Sequence, residues 1–492
     1  MQGFPWLSTA IFLPLLGALV TLFVPEAAAK TARAVALVFL SLSALCVLII
    51  ALGFHAGQGF QYVEQAPWMP ALHVTYFLAV DGLSLVMLGL TAVIGIIAAI
   101  AAFGITDRVK LFYTLFLLLQ TALLGIFCAE DLILFVFFFD VMLIPMYFII
   151  GIWGHGRREY SALKFLIFTV AGSVVMLVGI LALYFQTGQQ TFSIPALAQL
   201  VTTQHVPVQW QDWIFLLIFA GLAVKLPVVP LHTWLPDAHV DAPTAGSVVL
   251  AAVMLKVGAY GFIRVSHYLL PAAASHFAAF IAVLGVINIV YGALAATAQH
   301  DFKKLVAYSS VSHMGFVLLG IAAGTQLAVT GAIFEMVSHG LVAGMLFLLV
   351  GVFYDRTHTR EMTRFGGMYT TLGTGGGILG FAGMANLGLP ALSGFIGEFF
   401  VLAGTFTVFR IAVFWAILGI VLIAGYNLWM MQKILMGPEK EEWKGLPRIT
   451  RRELVTLVPL MAFCILLGLF PASIIHVLHG PVQQFVAHLG VK

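Results

Sequence analysis

Apolar residues fill the chain in runs of about twenty, parted by short polar stretches that hold most of the charge. Fourteen such runs centre on 5–24, 34–54, 80–104, 110–128, 132–152, 160–185, 213–231, 246–268, 276–298, 303–322, 328–354, 369–407, 411–434 and 453–477. A run of that length is what one helix needs to cross the hydrocarbon of a bilayer, so the pattern predicts an all-α polytopic membrane protein of about fourteen transmembrane helices. Two of the runs are irregular. In the seventh, Pro227 and Pro230 follow Lys225 and interrupt the helix. The twelfth is too long for one straight span and contains Gly388, Pro390 and Gly394. Both are expected to be broken helices.

The two breaks lie five segments apart. Segments four to eight (110–268) and nine to thirteen (276–434) then read as two copies of one five-helix unit inside a single membrane domain, 1–492. An odd number of helices per copy inverts the second relative to the first, a layout that places sites at discontinuous helices. Orientation follows from the basic residues. Loops after odd-numbered segments hold 18 Lys and Arg, and loops after even-numbered ones hold 2, Arg264 and Arg410. The bias puts the odd loops in the cytoplasm and both termini on the outer side.

Composition agrees: 62% of residues are hydrophobic and only 9% charged. The small net charge of +3 is spread out and gives no sign of a nucleic-acid partner. The three cysteines, Cys46, Cys128 and Cys464, each stand alone in apolar surroundings, which argues against an iron–sulfur cluster, a zinc site or a disulfide framework. There is no phosphate loop and no flavin or nicotinamide motif; GTGGGILG at 373–380 lies in an apolar run with no strand before it and reads as close helix packing. No metal and no cofactor are expected in this chain. The first run, Phe4–Val24, lacks a basic leader and reads as a first membrane helix rather than a cleaved signal.

The chemistry is carried by ionisable residues set deep in these runs. Lys225 lies about 18 Å and Lys256 about 15 Å into their segments at ~1.5 Å per residue. A charge near the bilayer centre costs at least ~2.5–3.5 kcal/mol and marks a functional site. Asp140, His313, His339, Glu335 and Glu398 are also deep. Each could be a structural hydrogen bond between helices, but so many buried charges in one chain favour proton movement. At ~4 Å and an effective dielectric of ~20, a carboxylate attracts an ammonium by roughly 4 kcal/mol, so moving it away tends to eject the proton. Asp140 is the expected partner of Lys225. Lys256 then receives the proton, and His313 and His339 relay it towards Glu398. His232 and His239 either lead protons in or cap backbone freed by Pro227, Pro230 and Pro236. Asp237 and Asp241 read as turn and helix-cap residues, and Glu130 and Asp131 as the acidic start of the fifth helix.

The stretches AGLAVKLPVVPLHTWLPDAHVDAPTAGSVVLAAVMLKVGAYGFIR, QHDFKKLVAYSSVSHMGFVLLG and GLPALSGFIGEF resemble the antiporter-like subunits of bacterial respiratory complex I, NADH–quinone oxidoreductase. FFDVMLIPMYFIIGIWG and GVFYDRTHTREMTRFGG resemble its subunit M. The likeness runs from about residue 75 to 480. It implies fourteen helices in two inverted units, a proton channel driven by distant quinone chemistry, and no cofactor here. It also implies other membrane subunits as partners, with NADH and quinone met only through them, in a bacterial inner membrane. The family's fifth-helix glutamate falls on Asp140, its two lysines on Lys225 and Lys256, and its twelfth-helix glutamate on Glu398. Subunit L and several cation antiporters carry lysine at that last position. Related antiporter or membrane-bound hydrogenase subunits are the alternative. Asp140 is shorter than the family's glutamate by roughly one C–C bond, so reaching Lys225 needs a water or a backbone shift. Glu335 stands where the family more often has a neutral residue; it either pairs with Lys256 or His339 or is protonated and silent.

Overall fold

The structure, a computed structural model, describes residues 3–204 and 206–490. Every one of the apolar runs becomes helix, because in an apolar surround each backbone group must bond within its own segment. Among the described residues eleven helices are long and apolar enough to cross a membrane. The other runs are shorter or interrupted: Trp6–Leu22, Val208–Lys225, and the twelfth, which splits into Thr374–Asn386 and Ser393–Phe406.

Nine helices build the site. They are α1 (Gly82–Ala101), α2 (Leu132–Val141), α3 (Arg158–Gln186), α4 (Val208–Lys225), α5 (Thr244–His267), α6 (Pro271–Thr297), α7 (Phe302–Ala323), α8 (Gln326–Thr357) and α9 (Ser393–Phe406). Asp81, Asp131, Asp301 and Thr325 start α1, α2, α7 and α8, each side chain accepting from a first-turn N–H. Burial sorts the bundle into centre and rim. α5 and α8 are enclosed along their whole apolar windows, whereas Ala29–Leu52, Arg410–Leu435 and Arg451–Leu469 keep most of theirs at the surface, where lipid covers it. Glycines set the close contacts. A Cβ at Gly331 of α8 would lie 2.6 Å from the Val401 nitrogen of α9, and one at Gly315 of α7 would lie 2.7 Å from the Gly285 oxygen of α6.

Both expected breaks are present, and other features depart from the sequence reading. α5 contains π-helical turns at Leu250–Met254 and Phe262–His267, on either side of Lys256. The loop 55–79 holds an antiparallel hairpin, β1 (Gln61–Met69) and β2 (Val74–Val80). Glu64 of β1 accepts from Leu7 N at 2.7 Å and Ser8 N at 3.0 Å, tying the hairpin to the first helix. The loop 186–212 contains the helix Ile194–Thr203. The fourteenth run stops at Leu469, and Pro471 starts a separate helix, Ala472–Leu489. Arg264 is not a loop residue: it sits inside α5, buried against Asp81 and Glu130.

Candidate proton-transfer site

Lys225 ends α4, where the chain leaves the helix before Pro227 and Pro230. Its Nζ makes no hydrogen bond and lies 5.5 Å from the ring centre of Phe139 and 5.2 Å from that of Phe165. Aromatic faces stabilise a cation without fixing a proton. Asp140 does not touch it. The carboxylate instead accepts from Ser173 Oγ at 2.5 Å, so the expected ion pair is held apart by a hydroxyl on α3. The shorter side chain is the physical reason this geometry is available.

The backbone of the break is satisfied by residues the sequence reading does not single out. Asn288 of α6 accepts from Val229 N at 2.8 Å and donates to Pro227 O at 3.1 Å. The Trp234 indole donates to Val224 O at 2.9 Å. The sequence does carry a signal for Asn288, since a lone amide in an apolar helix needs partners. His232 packs edge-on to Tyr291, with ring centres 5.0 Å apart. His239 is fully buried, stacked on Phe347 at 4.4 Å, with neither ring nitrogen bonded to protein. His239 therefore caps nothing with its ring. Asp237 pairs with Lys164 at 2.6 Å and Asp241 accepts from Ser161 Oγ at 2.5 Å, so these two acids hold α3 and are not helix caps. Lys303, also unforeseen, is buried and donates to Ala242 O at 2.6 Å.

α5 meets the end of α4 directly. A Cβ at Gly258 would lie 2.6 Å from Leu226 N, and one at Gly261 would overlap the Leu222 side chain. The α5 backbone just after Lys256, itself wholly enclosed, thus packs against the end of α4. The Lys256 Nζ donates to Ala251 O at 2.6 Å and lies 2.6 Å from His339 Nδ1 of α8. The carbonyl belongs to the π turn, whose wider coil frees it from the regular ladder. His339 and His313 of α7 have ring centres 5.6 Å apart, and both Nε2 atoms are buried without a protein partner. His313 Nδ1 lies 3.1 Å from Glu398 of α9 and 3.4 Å from Glu335 of α8. Glu335 therefore engages His313, not Lys256 or His339. At the twelfth-helix break, Gly388 has φ +79, and a Cβ there would lie 2.9 Å from Glu398 Oε2. Only glycine adopts that backbone freely while leaving the carboxylate its space. Pro390 lies at the same turn, on the exposed side.

The result is a row from Lys256 through His339 and His313 to the two carboxylates, in which every member is a group that can bind or give up a proton. His313, Glu335 and Glu398 also place three possible ligand atoms within 4.8 Å of one another, the one such metal-capable group among the described residues. An ammonium one imidazole away opposes a second cation there, so the donor set suits a proton better.

Comparison with known proteins fits this geometry. The family described as NADH:quinone oxidoreductase/Mrp antiporter, TM, matches residues 129–424. The chain is 44% identical to NADH-quinone oxidoreductase subunit M of Rhodobacter capsulatus, over 98% of each chain. It is similar to a chain in the respiratory complex I of Thermus thermophilus, with a TM-score of 0.89 and 30% identity, covering 98% of this chain and 100% of that one. A chain of the Mrp complex from Dietzia sp. DQ12-45-1b shares the fold, with a TM-score of 0.85 at 19% identity, over 98% of this chain and 97% of that one.

Proposed function

We propose that this chain, which belongs to the family of NADH–quinone oxidoreductase subunit M, carries protons across a bacterial inner membrane for such a complex. The energy comes from electron transfer between NADH and quinone in other subunits, and this chain holds no redox centre or other cofactor of its own. Its partners are the neighbouring membrane subunits and the lipid. The basic residues of the odd-numbered loops face the cytoplasm, both termini face outward, and 110–268 and 276–434 act as inverted halves, each with its broken helix.

The observation that carries this reading is the buried row Lys256–His339–His313–Glu398. A structural strut has no use for two adjacent imidazoles with unbonded nitrogens. In the arrangement seen, Asp140 rests on Ser173 and Lys225 rests among phenylalanines. Swinging Asp140 from the hydroxyl to the ammonium holds a proton on Lys225; swinging it back releases that proton towards Lys256 across the Gly258 contact. His232 and His239, with Pro227 and Pro230 shaping the turn before them, line the approach on the Lys225 side.

The test is NADH-driven acidification in inverted vesicles that carry the whole complex. Lys225→Ala, Lys256→Ala and the double neutral variant Asp140→Asn with Lys225→Met should each lose the proton flux of this chain while the complex stays assembled. Full flux in all three would end the reading. Proton flux driven by a sodium gradient without NADH would instead favour the cation/proton antiporter alternative.

A further inference from the structure

A second group of buried charges lies away from the row just described, at the end of the molecule that bears the hairpin. Arg264 of α5 pairs with Asp81 at 2.5 Å and with Glu130 at 3.3 Å. All three side chains are almost completely enclosed. Asp81 has a clear structural role, since it also accepts from Ser84 N at 2.9 Å to start α1. Glu130 has none of that kind. Neither carboxylate oxygen has a hydrogen bond: Oε2 is buried without any partner, and Oε1 lies 3.3 Å from Arg264 Nε. One guanidinium is already matched by Asp81, so a second carboxylate is surplus charge in a dry place. The backbone around Glu130 is fixed from two sides, by Glu130 N donating to Phe77 O of β2 at 2.9 Å and Ile194 N donating to Glu130 O at 2.8 Å. A carboxyl kept so rigidly, with one oxygen unpartnered, fits a group that gains and loses a proton.

The cluster and the central row share one helix, with the Lys256 ammonium as seen facing Ala251 and His339 rather than Tyr260. Lys256, Tyr260 and Arg264 are spaced by four residues, about 6 Å of rise each. The Tyr260 hydroxyl lies 3.0 Å from Ser84 Oγ and accepts from Arg264 Nε at 3.3 Å. Beyond the cluster, Asp81 and Arg264 line a cavity of about 30 Å³ together with Tyr268 and Gln484. Such a space admits a water molecule, and Gln484 is exposed at its mouth.

Resting on the proton-carrying reading above, we propose that Tyr260, Glu130 and Asp81 form a proton outlet that branches from Lys256 to the hairpin end of the molecule. When the Lys256 ammonium turns from Ala251 O and His339 towards Tyr260, it gives a proton to the Tyr260 oxygen as that hydroxyl, leaving Phe127 O, passes its own to Glu130. Glu130 holds it as a neutral acid, and transfer to Asp81 and then to water in the cavity completes the release. Arg264 keeps its proton throughout and lowers the cost of the carboxylate left behind. The environment of Glu130 is matched to that step. Burial pushes its carboxyl up to about 8, with Arg264 pulling it down and Asp81 pushing it up. A carboxyl that titrates near neutrality both holds and releases protons.

The experiment compares Lys256→Ala, Tyr260→Phe, Glu130→Gln and Glu130→Asp in the assembled complex in membranes. Protons moved per NADH are measured, together with infrared difference spectra of the carboxyl C=O stretch during turnover. The expected result is that Tyr260→Phe and Glu130→Gln each lose a clear part of the proton movement that Lys256→Ala abolishes, the row to Glu398 carrying the rest. Glu130→Asp recovers most of it, and a carboxyl band seen in the parent disappears in Glu130→Gln. Parent-level proton movement in Tyr260→Phe and Glu130→Gln, with Lys256→Ala inactive, would overturn the outlet and leave the central row standing. Full movement in Lys256→Ala would instead defeat the reading on which it rests. Loss in Glu130→Asp as severe as in Glu130→Gln, with no carboxyl band in the parent, would make Glu130 a strut and also overturn the proposal. If Glu130→Gln fails to assemble, Tyr260→Phe and Glu130→Asp still decide.

Discussion

Replacing His313 by alanine is the sharpest test of the central row, because two separate consequences follow from its geometry. The imidazole stands between Glu335 and Glu398, 3.4 Å from one and 3.1 Å from the other. Without it, two carboxylates whose oxygens lie within 4.8 Å face each other with no cation between them. At that separation and an effective dielectric of ~20, their repulsion is roughly 3.5 kcal/mol. At 1.36 kcal/mol per pKa unit this is a bias of several hundred-fold towards binding one proton, so the pair stops exchanging freely. The second consequence is a gap, since His339 then has no partner in the direction of Glu398. A positioned acid–base group contributes about 10²–10⁴ in rate, and proton flux along the row from His339 to Glu398 should fall by at least about 100-fold. The assay is NADH-driven quenching of a pH-gradient dye in inverted vesicles. NADH oxidation by an artificial acceptor, together with native electrophoresis, confirms assembly. Adding Glu335→Gln separates the two effects. The double variant removes the repulsion but not the gap, so it should assemble better and pump no better than the single one. Recovery of pumping in the double variant, or parent-level flux in the single one, would refute the relay through His313.

Three further outcomes are expected. Gly388→Ala puts a Cβ 2.9 Å from Glu398 Oε2 on a backbone with φ +79, a strain of about 1–2 kcal/mol before any clash; thermal unfolding of the purified complex should shift down and proton flux fall, and an unchanged midpoint would contradict the close fit at the break. Asn288→Leu leaves Val229 N and Pro227 O without their partner, at about 1–3 kcal/mol for each group; hydrogen exchange should speed up across residues 226–233 while the rest of α6 stays protected. Glu130 is raised by burial to about 8 from an unfolded value of 4.5, so its contribution to folding is present in full below about 4.5 and is lost as pH rises through 8; thermal stability of the parent should fall across that window more steeply than that of Glu130→Gln, and equal slopes would rule the contribution out.

Depth is legible in the chain, and pairing is not. The length of each apolar run fixes how far a residue lies from its ends, so Lys225, Lys256, Glu335 and Glu398 stand out before any contact is known. The contacts themselves join α5 to α8, α8 to α7 and α7 to α9, and no local pattern encodes which turn of one helix faces which turn of another. For that reason the sequence offers Lys256 and His339 as partners of Glu335, when its neighbour is His313. The two broken helices can be read because proline and glycine punctuate them. The π turns around Lys256 cannot, since LAAVM and FIRVSH contain no helix-breaking residue. Arg264 is misplaced by the basic-residue count, which assigns it to a loop although it lies inside the eighth run, 246–268, and inside α5, which ends at His267.

The two lysines, similar in sequence context, differ in the structure in a way that gives them different roles. Lys225 has an ammonium with no hydrogen bond, two aromatic faces near it, and a carboxylate held off by Ser173. Small movements of Asp140 therefore change its charge balance by several kcal/mol, the scale set by an ion pair forming or parting at ~4 Å. Lys256 has both a carbonyl and an imidazole within 2.6 Å. Bonded partners on two sides buffer it against such movements and give its proton a place to go. On the function proposed above, gating falls to Lys225 and conduction to Lys256. Ser173→Ala distinguishes the two: it frees Asp140 to stay on Lys225, so it should trap the proton there and slow the flux. The Lys256–His339 contact should be unaltered, because no atom of Ser173 takes part in it.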